Sequence, residues 1–139
     1  SEFNLSGNDE PLELAVFEGP NCGYCRKFRK TLSEIENLKV YTFLYPILGN
    51  EYIEISKDVW CSSDPSSVWD KLMLQGERPK KSSDLNCDFD QQKEVVALGR
   101  KLGIEATPTV FLSNGERLRG AIPLEALKDK LQTTSAQEQ

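Results

Sequence analysis

Two cysteines with two residues between them, Cys22 and Cys25, stand where an apolar segment gives way to an amphipathic one. The apolar segment, 12–17, predicts a buried strand, and Gly19 and Pro20 end it. Beyond the cysteines, three apolar residues recur at helical spacing: Phe28, Leu32 and Ile35. The sequence therefore predicts a strand, a turn that carries the cysteines, and a helix.

This context predicts different roles for the two thiols. Cys22 should lie at or just before the first helical turn, where unpaired backbone N–H groups and the helix dipole lower the pKa of a thiol. Cys25, one turn further on, can close a disulfide with it and should be the more buried. We expect a nucleophilic Cys22 and a resolving Cys25 that cycle between dithiol and disulfide. Half of a zinc site and a pair of packing cysteines have the same spacing, and both alternatives stay open here.

Length and charge restrict the class of protein. The chain has 139 residues, which suits one domain, and 17 basic against 22 acidic residues give a net charge of −5. Because the basic residues are scattered, nucleic acid is not an expected partner. No apolar segment approaches the ~20 residues that a membrane-spanning helix needs, and the sequence includes neither an initiator Met nor a secretory signal.

Both ends of the chain are polar. Residues 1–3 resemble a cloning remnant and residues 4–10 lack periodicity, so we expect 1–10 to be a remnant and a linker, with the native chain beginning further upstream. Residues 133–139 are expected to be disordered. The folded domain should then span 11–132.

The remaining segments predict an α/β fold. Residues 38–45 are rich in β-formers and should form a strand parallel to the first, because a helix connects the two. Three helices should follow as an insert over about 50–103, namely 50–60, 64–75 and a helix that Asp88 caps and Gly103 stops.

An Asn-Gly hairpin turn at Ser113-Asn114-Gly115-Glu116 should join antiparallel strands 109–112 and 117–120, and a last helix begins near Pro123. The order is a βαβ unit joined through the insert to a ββα unit, around a central mixed sheet.

These motifs resemble those of a thioredoxin-fold oxidoreductase. The resemblance rests on Cys22-Gly23-Tyr24-Cys25 at a strand-helix turn, Ala106-Thr107-Pro108-Thr109 before a strand, and Ser113-Asn114-Gly115 in the hairpin. More closely, roughly residues 12–132 resemble the catalytic domain of the DsbC/DsbG family of periplasmic disulfide isomerases. Four segments carry this closer match: Val59-Trp60-Cys61, 68–73, Cys87-Asp88 and 97–104.

The resemblance implies an active site around the two cysteines. It implies that the Thr107–Pro108 bond is cis and lies beside them, with the backbone near Thr107 facing both sulfurs and its hydroxyl stabilising the Cys22 thiolate. Cys22 and Cys25 would be catalytic and would need no cofactor beyond their own redox-active disulfide. The supporting residues would be Gly23, Tyr24, Thr107 and Pro108.

The resemblance also implies a structural disulfide between Cys61 and Cys87, which would contribute ~3 kcal/mol by closing a loop with a weak core. Such a bond favours an oxidising compartment. A zinc site built from all four cysteines competes with this interpretation, although the sequence has no His and no second CxxC. Two free buried cysteines are the third alternative.

Two features depart from related folds. Thioredoxin and the strong oxidases carry a buried acid six residues before the first cysteine; Val16 occupies that position here, and Glu18 lies nearer the turn. The proton acceptor for Cys25 is therefore expected to be missing or different. The dipeptide Gly23-Tyr24 lacks the His of the most oxidising pairs. We expect a Cys22 pKa below the free value of ~8.5, but less depressed than in a strong oxidase.

The predicted function is that of a bacterial periplasmic protein disulfide isomerase or reductase acting on misoxidised secreted proteins, kept reduced by a membrane reductase of the DsbD type. The sequence leaves no room for the family's N-terminal dimerisation domain. We therefore expect a dimeric native protein and a monomeric fragment. The alternatives are an oxidase or reductase dedicated to one client, and a thioredoxin-fold chaperone or adaptor.

Overall fold

The computed structural model describes residues 10–47, 49–84 and 86–138, so most of the predicted 1–10 linker lies outside the described residues. Within these ranges the elements follow the predicted order: β1 (Leu12–Glu18), α1 (Gly23–Ser33), β2 (Leu38–Leu44), α2 (Asn50–Trp60), α3 (Pro65–Gln75), α4 (Gln91–Lys101), β3 (Thr109–Leu112), β4 (Arg117–Arg119) and α5 (Leu124–Glu138). No helix in the described ranges is long and apolar enough to cross a membrane.

The strands form one mixed sheet with the order β2-β1-β3-β4. β1 pairs parallel with β2, and β3 pairs antiparallel with both β1 and β4. Pairing of Phe17 with Thr109 brings the start of β3 beside the end of β1. The sheet confirms the predicted βαβ and ββα units, and it places the loop before β3 close to the turn that carries the cysteines.

The apolar residues of β1 pack on both faces of the sheet, because successive side chains of a strand point to opposite sides. Leu12, Leu14 and Val16 pack with residues of α1 and α5 in one core cluster. Phe17 packs on the other face with Tyr45 and Ile104. Glu18 shares the face of Val16, so its carboxylate is directed toward the helical side that holds α1.

The helical insert packs against the start of α1. A cluster of buried residues joins the insert to the redox turn: Cys25, Leu44, Val59, Trp69, Leu72 and Met73. The side chain of Asp64 caps α3 by accepting a hydrogen bond from the Ser67 N–H, at 3.3 Å. Gly76 ends α3 with φ 70°, a conformation that favours glycine.

Two helix boundaries differ from the prediction. Asp88 does not cap α4: its Oδ1 accepts from the Asp90 N–H in a local turn, and the helix begins only at Gln91. The expected disordered tail over 133–139 is wrong for residues 133–138, which continue α5. Thr134 and Ser135 are buried on the face of Leu127 and Leu131, so tertiary packing extends a segment whose composition is polar.

Candidate active site

Cys22 is the N-cap residue of α1. Its sulfur accepts a hydrogen bond from the backbone N–H of Cys25, at 3.1 Å, and its carbonyl accepts from the N–H of Arg26, also at 3.1 Å. The thiol therefore takes the position in which serine or aspartate oxygens usually satisfy the first helical N–H groups. This is the location that the sequence predicted for the first cysteine.

The loop before β3 closes the other side of the site. The Thr107–Pro108 bond is cis, the conformation that the resemblance implies. The thiol of Cys22 donates a hydrogen bond to the carbonyl oxygen of Thr107 at 3.3 Å. Pro108 is buried beside this contact. The backbone of the loop thus faces the sulfur of Cys22, one of the two sulfurs that the resemblance implies it faces.

The two thiols differ in exposure. Cys22 is half-buried and Cys25 is fully buried, and the structure contains both as free thiols. Tyr24, between them, is 69% exposed, and Gly23 is also exposed. Cys22 is therefore the more accessible sulfur of the pair.

Hydrogen bonds separate the pKa values of the two thiols. The pKa of Cys22 falls to about 6, chiefly because Cys25 hydrogen-bonds to its thiolate; burial opposes the shift, and the Thr107 side chain and the N–H groups of Cys25 and Tyr24 add to it. The same hydrogen bond raises the pKa of Cys25, because the Cys25 thiol must keep its proton to donate it to the Cys22 thiolate. Burial raises the pKa of Cys25 further. Cys22 is thus a thiolate at neutral pH and Cys25 is a protonated thiol.

A buried ion pair lies behind the cysteines. Glu18 is fully buried, and its Oε2 accepts hydrogen bonds from Arg29 Nη2 at 2.5 Å and from Trp69 Nε1 at 2.7 Å. Burial raises the pKa of Glu18, whereas the charge and hydrogen bond of Arg29 and the hydrogen bond of Trp69 lower it. Val16, at the position where thioredoxin has its acid, is a core residue.

The sequence alone points to Glu18 near the turn but not to its partners. A signal was present in the pattern of α1, because Arg29 stands four residues after Cys25 on the face that also carries Phe28 and Leu32. A charged residue on a buried helical face needs a counter-charge. Glu18, at the end of an apolar strand, was the matching candidate.

The second cysteine pair is a disulfide that joins Cys61, the residue after α2, to Cys87 before α4. Trp60 supports the same junction, since its Nε1 donates to the carbonyl of Asp88 at 3.0 Å. Because these two sulfurs are bonded to each other, they are not available for a four-cysteine zinc site. The bond lies in the insert and takes no part in the redox turn.

A CxxC pair at a helix N-terminus, beside a cis-proline loop on a mixed sheet, defines the class of thioredoxin-fold thiol oxidoreductases. A family model described as a thioredoxin-like domain matches residues 4–135, and the chain belongs to this family.

Among similar proteins, the chain is 43% identical over 118 residues to the probable thiol:disulfide interchange protein DsbC of Bordetella pertussis, covering 85% of this chain and 41% of that protein. It is 30% identical over 122 residues to the thiol:disulfide interchange protein DsbC of Escherichia coli K12, covering 85% of this chain and 50% of that protein. The chain thus spans half or less of the length of these curated relatives.

One solved structure shares the fold over nearly the whole length of both chains. The disulfide interchange protein from Neisseria gonorrhoeae superposes with a TM-score of 0.83 at 27% identity, covering 92% of this chain and 91% of that one. The catalytic domain of Proteus mirabilis ScsC, at 23% identity and a TM-score of 0.69, shares the fold.

Proposed function

We propose that this chain is a thiol-disulfide oxidoreductase domain that isomerises or reduces disulfides in misoxidised secreted proteins through Cys22 and Cys25. One observation carries the proposal: the partly exposed sulfur of Cys22 caps the first turn of α1, where it accepts the Cys25 N–H at 3.1 Å, and it faces the cis-proline loop, 3.3 Å from the carbonyl oxygen of Thr107. The names of the relatives, which are thiol:disulfide interchange proteins, support the same chemistry.

The reaction begins when the Cys22 thiolate attacks one sulfur of a substrate disulfide. A Cys22–substrate disulfide forms, the substrate S–S bond breaks, and the second substrate sulfur leaves as a thiolate. If that thiolate attacks another disulfide of the substrate, a new substrate thiolate is set free. When a substrate thiolate then attacks the substrate sulfur bonded to Cys22, a new substrate disulfide forms, Cys22 leaves as a thiolate, and the substrate is isomerised. No net oxidation accompanies this route.

Reduction requires Cys25. Its thiol loses a proton and attacks the Cys22 sulfur, so that the Cys22–Cys25 disulfide forms and the substrate leaves as a dithiol after taking up protons. The substrate gains two electrons and the cysteine pair loses them. Burial of Cys25 disfavours its thiolate and slows this step, which gives the mixed disulfide time to rearrange and favours isomerisation over reduction.

The neighbouring residues have supporting roles in this proposal. Tyr24 offers an exposed aromatic surface to the substrate. The Thr107 hydroxyl stabilises the Cys22 thiolate, whereas the Thr107 carbonyl accepts a hydrogen bond from Cys22 only when its thiol is protonated. Pro108 is the buried residue that follows Thr107. Gly23 leaves space at the helix start, since nothing within 4 Å would meet a side chain there. Contacts of this kind suit unfolded substrates of varied sequence.

The cellular setting is part of the proposal. The Cys61–Cys87 disulfide favours an oxidising compartment, which agrees with a periplasmic location. Continued isomerisation needs a reductant for Cys22–Cys25, and we assign this role to a membrane reductase of the DsbD type. We also propose that the native protein dimerises through a domain outside this chain; the relatives are longer than the part that this chain matches.

The test compares Cys22→Ala and Cys25→Ala with the wild-type chain in the refolding of a scrambled multi-disulfide protein. Cys22→Ala should abolish exchange, and Cys25→Ala should accumulate mixed disulfides that mass spectrometry detects. Undiminished exchange by Cys22→Ala would overturn the proposal. Lost exchange with client binding retained would show that the chain also acts as a chaperone.

The equilibrium of the pair with glutathione distinguishes the possible directions of electron flow. A reduction potential of about −120 to −180 mV supports an isomerase or oxidase, whereas a value of about −270 mV is typical of a thioredoxin-like reductant. The second result would remove isomerisation as the primary activity.

A further inference from the structure

The ion pair between Glu18 and Arg29 is unusual because it is buried and incompletely bonded. Arg29 Nη2 also donates to Thr42 Oγ1 at 2.8 Å, and its Nη1 lies 3.8 Å from Asp70. In the described part of the chain, Glu18 Oε1 and Arg29 Nε are buried without a hydrogen-bond partner. Apolar residues of similar volume often stabilise a fold as well as or better than a buried ion pair. Stability alone therefore gives little reason for these charges.

The pair lies next to the redox centre in the fold. Glu18 ends β1 four residues before Cys22, and Arg29 follows Cys25 by one helical turn on the buried face of α1. Trp69, which donates to Glu18, belongs to the same core cluster as Cys25. The Glu18 carboxylate is thus bonded from α1 and α3, while Arg29 also contacts Thr42 of β2 and lies near Asp70 of α3.

Glu18 and Cys22 interact through their charges. Burial is the main cause that raises the pKa of Glu18, Arg29 opposes it, and the negative charge on Cys22 raises it further. Such coupling is reciprocal, so the carboxylate of Glu18 must also disfavour the thiolate of Cys22. Salt and water screen this repulsion weakly, because Glu18 is fully buried.

From this arrangement we infer that Glu18 is a positioning residue for the redox pair: its carboxylate cancels the charge of Arg29 and thereby sets the equilibrium between the Cys22–Cys25 disulfide and the dithiol. The inference rests on the proposed function. Without the carboxylate charge, the guanidinium of Arg29 would attract the Cys22 thiolate and favour the dithiol. Glu18 thus makes the pair less oxidising than Arg29 alone would make it.

The test is the exchange equilibrium of Glu18→Gln with glutathione, in which two glutathione thiols reduce the disulfide to the dithiol and become oxidised glutathione. The amide of Gln keeps an oxygen for Trp69 and removes the charge. We expect the equilibrium at pH 7 to shift several-fold toward the dithiol, together with a fall in the pKa of Cys22. The pKa is read from the ultraviolet absorbance of the thiolate.

Asp70→Asn is the matched control. Asp70 lies 3.8 Å from the same guanidinium, but its side chain is 51% exposed, so water screens its charge. The equilibrium and the pKa of Cys22 should both stay at the wild-type values. A Glu18→Gln variant that loses thermal stability but keeps both wild-type values would show a purely structural ion pair and overturn the inference.

A measurement on the wild-type chain covers the case in which Glu18→Gln does not fold. Carbon NMR of the labelled glutamate side chains follows the titration of Glu18 in chemically reduced and chemically oxidised protein. The pKa of Glu18 should be lower in the disulfide form, which has no Cys22 thiolate. Equal values in the two forms would refute the coupling, and this result does not depend on turnover. Failure of the proposed function would appear separately, as lost exchange with substrate proteins despite a normal Glu18 titration.

Discussion

The Sγ atom of Cys22 lies 3.3 Å from the carbonyl oxygen of Thr107, although 85 residues separate the two in the chain. Antiparallel pairing of β1 with β3 creates this contact, because it sets Thr109 opposite Phe17 at the edge of the sheet where the redox turn begins and the loop before β3 ends. The site is therefore assembled from a local turn and a distant loop. Its thiol chemistry depends on both.

The reactivity of Cys22 should follow its lowered pKa of about 6, which the hydrogen bond from Cys25 chiefly produces. The thiolate is the reactive, deprotonated form, so the rate of alkylation should rise as the pH increases through about 6 and level off above it. Cys25, with its raised pKa, should stay unmodified over this range. Mass-resolved alkylation of the reduced chain measures both rates, and a midpoint near the free thiol pKa of ~8.5 for Cys22 would contradict the prediction.

Removal of hydrogen-bond donors should raise the pKa of Cys22 in a defined order. Cys25 contributes the largest lowering effect and the Thr107 side chain a smaller one, so Cys25→Ala should raise the pKa more than Thr107→Val. Val keeps the shape of Thr and the backbone carbonyl but has no hydroxyl. Thiolate absorbance during a pH titration provides the values. An equal or larger effect of Thr107→Val would mean that the loop, rather than the resolving thiol, holds the thiolate.

Gly99 of α4 should not tolerate a side chain. A Cβ atom there would meet the ring of Tyr45, with Cζ at 2.6 Å, and the Tyr45 hydroxyl is tied to the carbonyl of Ile104 at 2.9 Å. Gly99→Ala should therefore lower the free energy of unfolding by about 1–3 kcal/mol, although Ala favours helices. Leu98→Ala, at an exposed position of the same helix, is the control and should have a much smaller effect. Urea denaturation measures the free energy of unfolding of both variants, and equal losses for Gly99→Ala and Leu98→Ala would contradict the prediction.

The disulfide of the insert should contribute to stability without changing the redox turn. Cys61→Ala combined with Cys87→Ala opens a loop with a sequence separation of 26 and should lower the free energy of unfolding by about 2–5 kcal/mol. The pKa of Cys22 should stay near 6, because neither cysteine contacts it. Denaturation and thiolate titration of the same variant test both statements. A shifted pKa would show that the insert helps to shape the active site.

Much of the fold was predictable because its signals are local. The apolar run of β1, the helical spacing after Cys25 and the Asn114-Gly115 turn each act over a few residues, and each element formed where the pattern predicted it. The boundaries of α4 and α5 were less predictable. Asp88 can either cap a helix or form a local turn, and its neighbours select the turn. The polar end of α5 becomes helical because Thr134 packs beside Leu131.

The sequence by itself determined the strand-turn-helix that makes Cys22 an N-cap thiol, since that geometry depends only on residues close to it in the chain. Tertiary structure decided which distant groups surround the thiol. The Thr107 carbonyl, the Glu18–Arg29 pair and the Trp69 donor come together only when the sheet pairs and the insert packs on α1. A local pattern cannot specify such neighbours, because the charge and burial that tune a thiol depend on atoms far apart in sequence.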